Sequence, residues 1–121
     1  MIQGLRTAIY PTPDLTRGKE WYRKVLGQDA YFDQPFYVGF SVGGFELGLI
    51  PDGEPGSAGV QVYWGVADAV AESARLTKLG AAVHEPVKDV GGGIKVASFL
   101  DPFGNLFSII ENPNFKLADV R

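Results

Sequence analysis

Cysteine and histidine, the side chains most used for zinc sites and thiol or imidazole chemistry, are almost absent from this sequence. The 121 residues contain no cysteine and a single histidine, His84. Disulfides, thiolate metal sites and cysteine nucleophiles are therefore excluded, and so is a histidine-rich metal site within one chain. His84 directly precedes Glu85-Pro86, and we interpret it as a surface or structural histidine rather than a ligand.

Two other segments resemble functional motifs but have simpler interpretations. The run Gly91-Gly92-Gly93 lacks the following helix and lysine that phosphate-binding loops use, so a flexible loop is expected there. Trp21 and Tyr22 would suit stacking on a ligand. Their spacing matches the apolar stripe of a helix, which predicts that both rings belong to the core.

Charge and composition narrow the possible partners. The formal net charge is −3, and neither lysine nor arginine forms a block, which argues against nucleic acid or an anionic membrane as the main partner. Apolar residues make up 45 % and charged residues 21 %, the usual balance of a soluble globular protein. No apolar run approaches the roughly 20 residues of a membrane helix, and the start does not resemble a signal peptide, so a cytoplasmic location is predicted.

The first half of the chain predicts a strand, a helix and three further strands. Asp14 suits the position before the helix, and Gly27 suits the left-handed residue after it. Gly43-Gly44 is typical of a two-residue hairpin turn. The predicted elements are a strand over Gly4–Tyr10, a helix over Leu15–Leu26, and strands at Ala30–Phe32, Tyr37–Val42 and Phe45–Ile50.

The second half repeats this order after a linker rich in proline and glycine. Asp68 and Gly80 repeat the roles of Asp14 and Gly27, and Asp14 and Asp68 lie 54 positions apart, as do Thr7 and Gln61. The predicted elements are a strand over Val60–Val66, a helix over Ala69–Leu79, and strands at Ala82–His84, Ile94–Leu100 and Leu106–Ile110. One domain is expected over 1–121, with module 1 at about 4–50, a linker at 51–59, module 2 at about 60–111 and a tail at 112–121.

Three motifs in this order resemble the vicinal oxygen chelate superfamily, which includes glyoxalase I, bleomycin-resistance proteins and extradiol dioxygenases. They are Asp14-Leu15…Trp21-Tyr22…Leu26-Gly27, Val66-Ala67-Asp68…Leu79-Gly80-Ala81 and Phe99-Leu100-Asp101-Pro102-Phe103-Gly104-Asn105. In the third motif, Phe103 replaces the family's middle acid. The resemblance implies an α+β fold of two βαβββ modules, with a curved mixed sheet around a concave cleft, helices on the convex face, and a homodimer.

The resemblance also implies a site. The family's metal ligands occupy four concave-face positions, which correspond here to Thr7, Glu46, Gln61 and Ser108. Metalloenzymes of the family have His, Glu or Gln at these positions. One carboxylate, one amide and two hydroxyls make a weak donor set for a transition metal. We therefore expect no metal or other cofactor, with a divalent metal as the less favoured alternative.

Strand alternation extends this face beyond the four positions. If Thr7 and Gln61 face the cleft, so do Ile9 and Tyr63 on the same strands. Glu46 and the Gly43-Gly44 hairpin bring Tyr37 and Ser41 to that face, and Ser108 brings Leu106. The predicted lining is mostly apolar and aromatic with a few polar groups, as in small-molecule pockets.

Three functions remain open at this point. The preferred one is a metal-free, bleomycin-resistance-like protein that binds a small apolar or cationic molecule, because a net-negative protein attracts cations. The alternative is a glyoxalase-type lyase or dioxygenase-like enzyme with an atypical site, in which Glu46 is the catalytic candidate as a general base whose pKa desolvation would raise. Glu46 is equally well explained as an exposed carboxylate with no role. An assembly module without a ligand is disfavoured by the apolar concave face.

Overall fold

A computed structural model describes residues 1, 3 and 5–120. Its elements, in chain order, are β1 (Thr7–Pro11), α1 (Leu15–Leu26), β2 (Phe32–Gln34), β3 (Tyr37–Val42), β4 (Phe45–Ile50), β5 (Tyr63–Gly65), α2 (Ala69–Lys78), β6 (Ala82–Asp89), β7 (Lys95–Leu100), β8 (Leu106–Glu111) and a 3₁₀ turn (Leu117–Asp119).

The strands form two open, four-stranded mixed sheets. The first sheet has the order β1-β4-β3-β2 and the second has the order β5-β8-β7-β6. In each sheet, the strand before the helix pairs in parallel with the last strand, and the other neighbours are antiparallel. The βαβββ order therefore occurs twice, which confirms the predicted α+β modules. Among the described residues, hydrogen bonding joins the strands into two separate sheets rather than one continuous sheet.

The residues predicted to mark the start and the end of the helices do so. The carboxylates of Asp14 and Asp68 accept hydrogen bonds from the backbone amides three residues later, at 3.1 and 3.0 Å. These bonds satisfy amides that the first turn of a helix leaves without partners. Gly27 follows α1 with φ 71°, a left-handed conformation that costs glycine little. Local capping chemistry therefore sets both helices.

Several strand ends differ from the prediction. Gly4, where the first strand was expected to begin, lies outside the described residues, and β1 begins at Thr7. β2 starts two residues later than predicted, and β5 covers only Tyr63–Gly65 of the predicted Val60–Val66. β6 runs on from Ala82 to Asp89, through Pro86. It is an edge strand with two register shifts, the setting in which a sheet tolerates proline.

Both modules contribute to one hydrophobic core. Tyr22 of α1, Phe40 and Leu47 of the first sheet, and Phe99 and Ile109 of the second are buried in the same cluster. Trp21 packs against this cluster, so the two helix aromatics are core residues as predicted.

A direct contact between the modules follows the internal repeat. The indole nitrogen of Trp64 donates a hydrogen bond of 3.3 Å to the hydroxyl of Tyr10. These two residues are separated by the same 54 positions that separate Asp14 and Asp68. The helix-facing sides of β1 and β5 therefore meet at equivalent residues of the two modules.

The third family motif is a structural turn that joins the modules. Asp101 accepts hydrogen bonds from the Tyr22 hydroxyl at 2.8 Å, from the amides of Phe103 and Asn105, and from the Asn105 side chain. Asn105 in turn donates to the Pro11 carbonyl at 2.7 Å. Both Asp101 and Asn105 are buried, where polar groups need partners. This turn connects the β7–β8 hairpin to α1 and to the end of β1.

Candidate functional site

The face of each sheet opposite the core carries the predicted site residues. Ala8, Phe40 and Leu47 contact the core from the first sheet, and Trp64 and Ile109 do so from the second. Alternation along each strand then places their neighbours on the other face. These neighbours are Thr7, Ile9, Tyr37, Ser41 and Glu46 on the first sheet, and Tyr63, Leu106 and Ser108 on the second.

Glu46 is the centre of the first-sheet half of the site. It pairs across the strands with Thr7 on one side and Ser41 on the other. The hydroxyls of Tyr31 and Tyr37 each donate a hydrogen bond to its carboxylate, one to Oε2 from Tyr37 and one to Oε1 from Tyr31. The structure therefore brings Thr7, Tyr37, Ser41 and Glu46 together, and it adds Tyr31, which we did not predict.

Two glycines make room for the tyrosine rings. Gly39 and Gly48 are cross-strand partners on this face. A Cβ atom on Gly48 would lie 2.6 Å from Cζ of Tyr37, and one on Gly39 would lie 3.2 Å from the rings of Tyr31 and Tyr37. The glycines thus leave a shallow groove in which the rings lie against the sheet. The sequence signal for this groove is a glycine on each of two paired strands.

The two phenols set the ionisation of Glu46. Their hydrogen bonds, that of Tyr31 first and that of Tyr37 second, lower the pKa of the Glu46 carboxyl. The pKa of Tyr31 is raised, chiefly by its hydrogen bond to Glu46. Partial removal from solvent, followed by the same carboxylate, raises the pKa of Tyr37 to about 12. Glu46 is therefore an ionised acceptor at neutral pH, and its pKa moves in the opposite direction from the desolvated base considered above.

The second-sheet half of the site is built from hydroxyls. Ser108 pairs with Tyr63 on β5 and with Ser98 on β7. Ser108 is fully buried, and its hydroxyl has no hydrogen-bond partner among the described residues. The Ser98 hydroxyl lies 3.1 Å from Nδ1 of His84, which places the single histidine at the edge of this cluster.

A small cavity opens on this second face. Its volume is about 110 Å³, and its lining includes Gln61, Tyr63, Glu85, Lys88 and Ser98. The Tyr63 hydroxyl donates to the side-chain oxygen of Gln61 at 3.1 Å, and Lys88 forms an ion pair with Glu85 at 3.0 Å. Sequence reasoning did not include Glu85 or Lys88, because the bulged pairing of β6 with β7 brings them here. It also omitted Ser98, which the regular pairing of β7 with β8 places opposite Ser108.

The two halves do not reproduce each other position by position. Glu46 pairs with Thr7, whereas Ser108 pairs with Tyr63, two residues beyond Gln61. Relative to the repeat, Ser108 is therefore shifted by two residues, which is one position along the same face of the sheet. Gln61 itself precedes the start of β5. Leu106, which is buried, is the first residue of β8 and pairs with Leu100, the last residue of β7.

These donors do not fit a divalent metal. Within residues 1, 3 and 5–120, no three His, Asp or Glu side chains come together as a metal site requires. Glu46 supplies the carboxylate of the four-residue set, and each of its oxygens already accepts a phenol hydrogen. The remaining members are hydroxyls and an amide, which are weak ligands for zinc, nickel or iron.

A larger hollow lies elsewhere, at the start of α1. It measures about 720 Å³ and is lined by Asp14, Leu15, Lys19, Gln34 and Pro51, among others. Lys19 and Asp33 form an ion pair of 2.8 Å beside it. Because Val38 also lines it and belongs to the core-facing row of β3, this hollow is not on the face that carries Glu46.

Comparison with known proteins identifies the class. The model of the glyoxalase/bleomycin resistance protein/dioxygenase superfamily matches residues 4–109. The chain belongs to this superfamily. No curated protein matches the sequence significantly.

Solved structures share the fold at low sequence identity. A glyoxalase-related enzyme from Fulvimarina pelagi is 18 % identical with a TM-score of 0.80, over 99 % of this chain and 96 % of that one. A superfamily member from Sphaerobacter thermophilus is 21 % identical with a TM-score of 0.77, over 92 % and 98 %. Lactoylglutathione lyase from Agrobacterium tumefaciens is 20 % identical with a TM-score of 0.74, over 94 % and 98 %. At this identity the likeness shows the fold, and the site has to be argued from its own residues.

In the part of the chain that the structure describes, no helix combines the length and apolar character needed to cross a membrane. The cytoplasmic location stays a prediction.

Proposed function

We propose that this chain is a metal-independent, small-molecule-binding member of its superfamily, with the ligand held over the face that carries Glu46. One observation carries the proposal: an ionised carboxylate is held by two tyrosine hydroxyls above a groove made by two glycines. A fixed polar group among apolar and aromatic surroundings is the usual composition of a ligand site. The proposed contacts on this sheet are Thr7, Ile9, Tyr37, Ser41 and Glu46.

The second sheet supports the proposal through its hydroxyls. Buried polar groups are normally hydrogen-bonded, and exceptions are often found where a ligand or water supplies the partner. The Ser108 hydroxyl has no partner among the described side chains, which is what a site for a ligand's polar group requires. We propose Gln61, Tyr63, Leu106 and Ser108 as the second set of contacts, in a homodimer as the family resemblance implies.

An enzymatic function has less support from the site. A lyase or dioxygenase-like reaction would use Glu46 as its base, and a general base works best with a pKa near the working pH. The pKa of Glu46 is lowered by two hydrogen bonds. Turnover of a glyoxalase-type or dioxygenase-type substrate that Glu46→Gln abolishes would establish the enzymatic alternative.

The proposal is tested by mapping where small molecules bind. We would screen a fragment library against ¹⁵N-labelled protein by NMR, with and without Zn²⁺, Ni²⁺ and Mn²⁺. We expect amide shifts to cluster in β1, β3 and β4, with or without metal. Shifts confined to Asp14–Lys19 would move the site to the α1 hollow and contradict the proposal. Fragment binding that needs stoichiometric metal would contradict it as well.

A pair of glycine variants makes this test specific. Gly48→Ala places a methyl group against the Tyr37 ring, while Gly65 of β5 has no atom near its Cβ position. We expect Gly48→Ala to weaken fragment binding on the first face and Gly65→Ala to leave it unchanged. Thermal unfolding of both variants shows whether each remains folded. Equal binding to both folded variants would remove the groove from the proposed site.

A further inference from the structure

We infer that the first-sheet site selects organic cations whose charge lies on a methylated, weakly hydrated ammonium group. The inference rests on the proposed function and adds a ligand class to it. The basis is a group of four aromatic rings beside Glu46, which we call the aromatic cluster: Tyr31, Phe32, Phe36 and Tyr37.

Phe32 lies at the centre of the aromatic cluster. Its ring centroid is 6.0 Å from that of Tyr37, 6.1 Å from that of Phe36 and 6.5 Å from that of Tyr31. The rings meet at angles of 55–68°. The contacts of Phe32 with Phe36 and Tyr37 are edge-to-face, a geometry that covers the face of one ring only, and its contact with Tyr31 is tilted. None of the three pairs is stacked face to face.

The fold exposes the aromatic cluster to solvent. Phe36 occupies the turn between β2 and β3, and its exposure is 66 % of the maximum, while that of Tyr31 is 63 %. Phe32 pairs with Gly39, so it stands on the same face as the glycine groove. Exposed aromatic rings grouped around one point indicate a contact surface more than isolated exposed rings do.

Charge selects a cation for this surface. Aromatic faces attract cations within about 6 Å of the ring centroid. Glu46 adds a full negative charge next to the aromatic cluster, since two members of the cluster donate to its carboxylate. The chain as a whole carries a net charge of −3. A neutral apolar ligand would cover the rings without compensating the carboxylate.

The two phenol hydrogen bonds favour a methylated cation over a primary amine. A primary ammonium is strongly hydrated and needs several acceptors to replace its water. Each Glu46 oxygen already accepts one phenol hydrogen, and aromatic rings are poor acceptors. A trimethylammonium group donates no strong hydrogen bonds, sheds its water more easily, and is stabilised by ring faces and by the nearby charge.

Three matched probes test this selectivity: choline, its neutral isostere 3,3-dimethylbutan-1-ol, and the primary amine ethanolamine. NMR titration measures their affinities even when binding is weak. We expect choline to bind about tenfold more tightly than either of the others, with shifts centred on β2 and β3. Equal affinities, or no binding of choline at the aromatic cluster, would overturn the inference.

Variants separate the ring contribution from the charge. Phe36→Leu keeps an apolar side chain but removes one ring of the aromatic cluster. Phe115→Leu is the matched control, because Phe115 is similarly exposed and is not a member of the cluster. We expect Phe36→Leu and Glu46→Gln each to lower choline affinity severalfold and Phe115→Leu to leave it unchanged. An unchanged choline affinity in Phe36→Leu would contradict the ring contribution.

The two proposals fail in different ways. If neutral fragments bind the Glu46 face while choline shows no preference over its isostere, the cation inference is wrong and the binding function stands. If no fragment of any charge binds that face, the proposed function fails, and the cation inference fails with it.

Discussion

The ionisation of a single carboxylate separates the functional alternatives at the scale of the residue. The sequence left Glu46 open as an idle surface group or a general base. Two phenol donors now account for its conformation and lower its pKa. Glu46 is therefore interpreted as a fixed negative charge. The pKa values of the tyrosines that donate to it should depend on that charge.

The first prediction concerns the titration of Tyr37. Partial removal from solvent and the Glu46 carboxylate together raise the pKa of Tyr37 to about 12 from an ordinary 10.0. Glu46→Gln should lower this pKa but not restore it fully, because removal from solvent is the larger cause. ¹³C NMR of labelled tyrosine rings measures it, with Glu54→Gln as the control. An unchanged Tyr37 pKa in Glu46→Gln would mean that the two side chains do not interact in solution.

The same shift has a consequence for stability at high pH. The folded-state pKa of Tyr37 lies above that of an unfolded tyrosine, so folding favours the protonated form. The stabilisation of the folded state that comes from this raised pKa is fully present below about pH 10 and is lost as the pH rises toward 12. The fall in the free energy of unfolding over this pH interval should be smaller in Glu46→Gln than in the wild-type chain.

The second prediction concerns the buried hydroxyl of Ser108. A buried polar group without a partner costs about 1–3 kcal/mol. Ser108→Ala should therefore leave the free energy of unfolding unchanged or raise it by about 1 kcal/mol. Ser98→Ala, which removes a hydroxyl in contact with His84, should lower it. Urea unfolding compares the two. A clear loss of stability in Ser108→Ala would show that its hydroxyl has a partner in the free protein.

At the scale of the element, the turn after β7 accounts for the third family motif. Asp101 uses both carboxylate oxygens, with four hydrogen bonds to α1, to the turn and to Asn105. Phe103, which departs from the family pattern, does not disturb this arrangement, because the turn uses the backbone amide at that position. The motif is therefore explained by the joining of the two modules.

The third prediction follows from this turn. Asp101→Asn keeps the shape but replaces one acceptor oxygen with a donor, so at least one buried bond is lost. We expect the free energy of unfolding to fall by about 2 kcal/mol. Asp68→Asn is the matched control, because asparagine caps a helix as well as aspartate does. Losses of equal size in the two variants would contradict a special role for the turn.

Some elements could be predicted from local chemistry and others could not. Asp14, Gly27 and the Gly43-Gly44 turn fix their elements through one or two backbone bonds, and the sequence shows them directly. The end of β6 depends on bulged pairing with β7, a long-range property that no local signal near Pro86 reveals. Tyr31 was missed for the same reason, because it precedes β2 and reaches Glu46 only across the glycine groove.

At the scale of the whole molecule, the two site halves lie on different sheets. Glu46 and the aromatic cluster belong to the first sheet, and the unpartnered Ser108 belongs to the second. No hydrogen bond between described side chains joins these two clusters directly. A binding site that uses both halves therefore depends on how the sheets, and any second copy of the chain, come together.

The fourth prediction is that the chain forms a homodimer. Ile9 on the edge strand β1 and Tyr63 on the edge strand β5 are 53 % and 45 % exposed on the faces that carry the site residues. Exposed apolar side chains grouped on the sheet faces favour association with a second copy. Sedimentation equilibrium should give twice the chain mass of 13.1 kDa at micromolar concentrations.

A charge at that edge makes the dimer prediction specific. Ile9→Lys should shift the protein toward the monomer, because a buried lysine without a partner is costly, while Val70→Lys, at an equally exposed position of α2, should not. If the wild-type chain sediments at 13.1 kDa throughout, a ligand would have to be held by one chain alone. The search for it would then begin at the Glu46 face, where one chain already supplies the carboxylate, the groove and the rings.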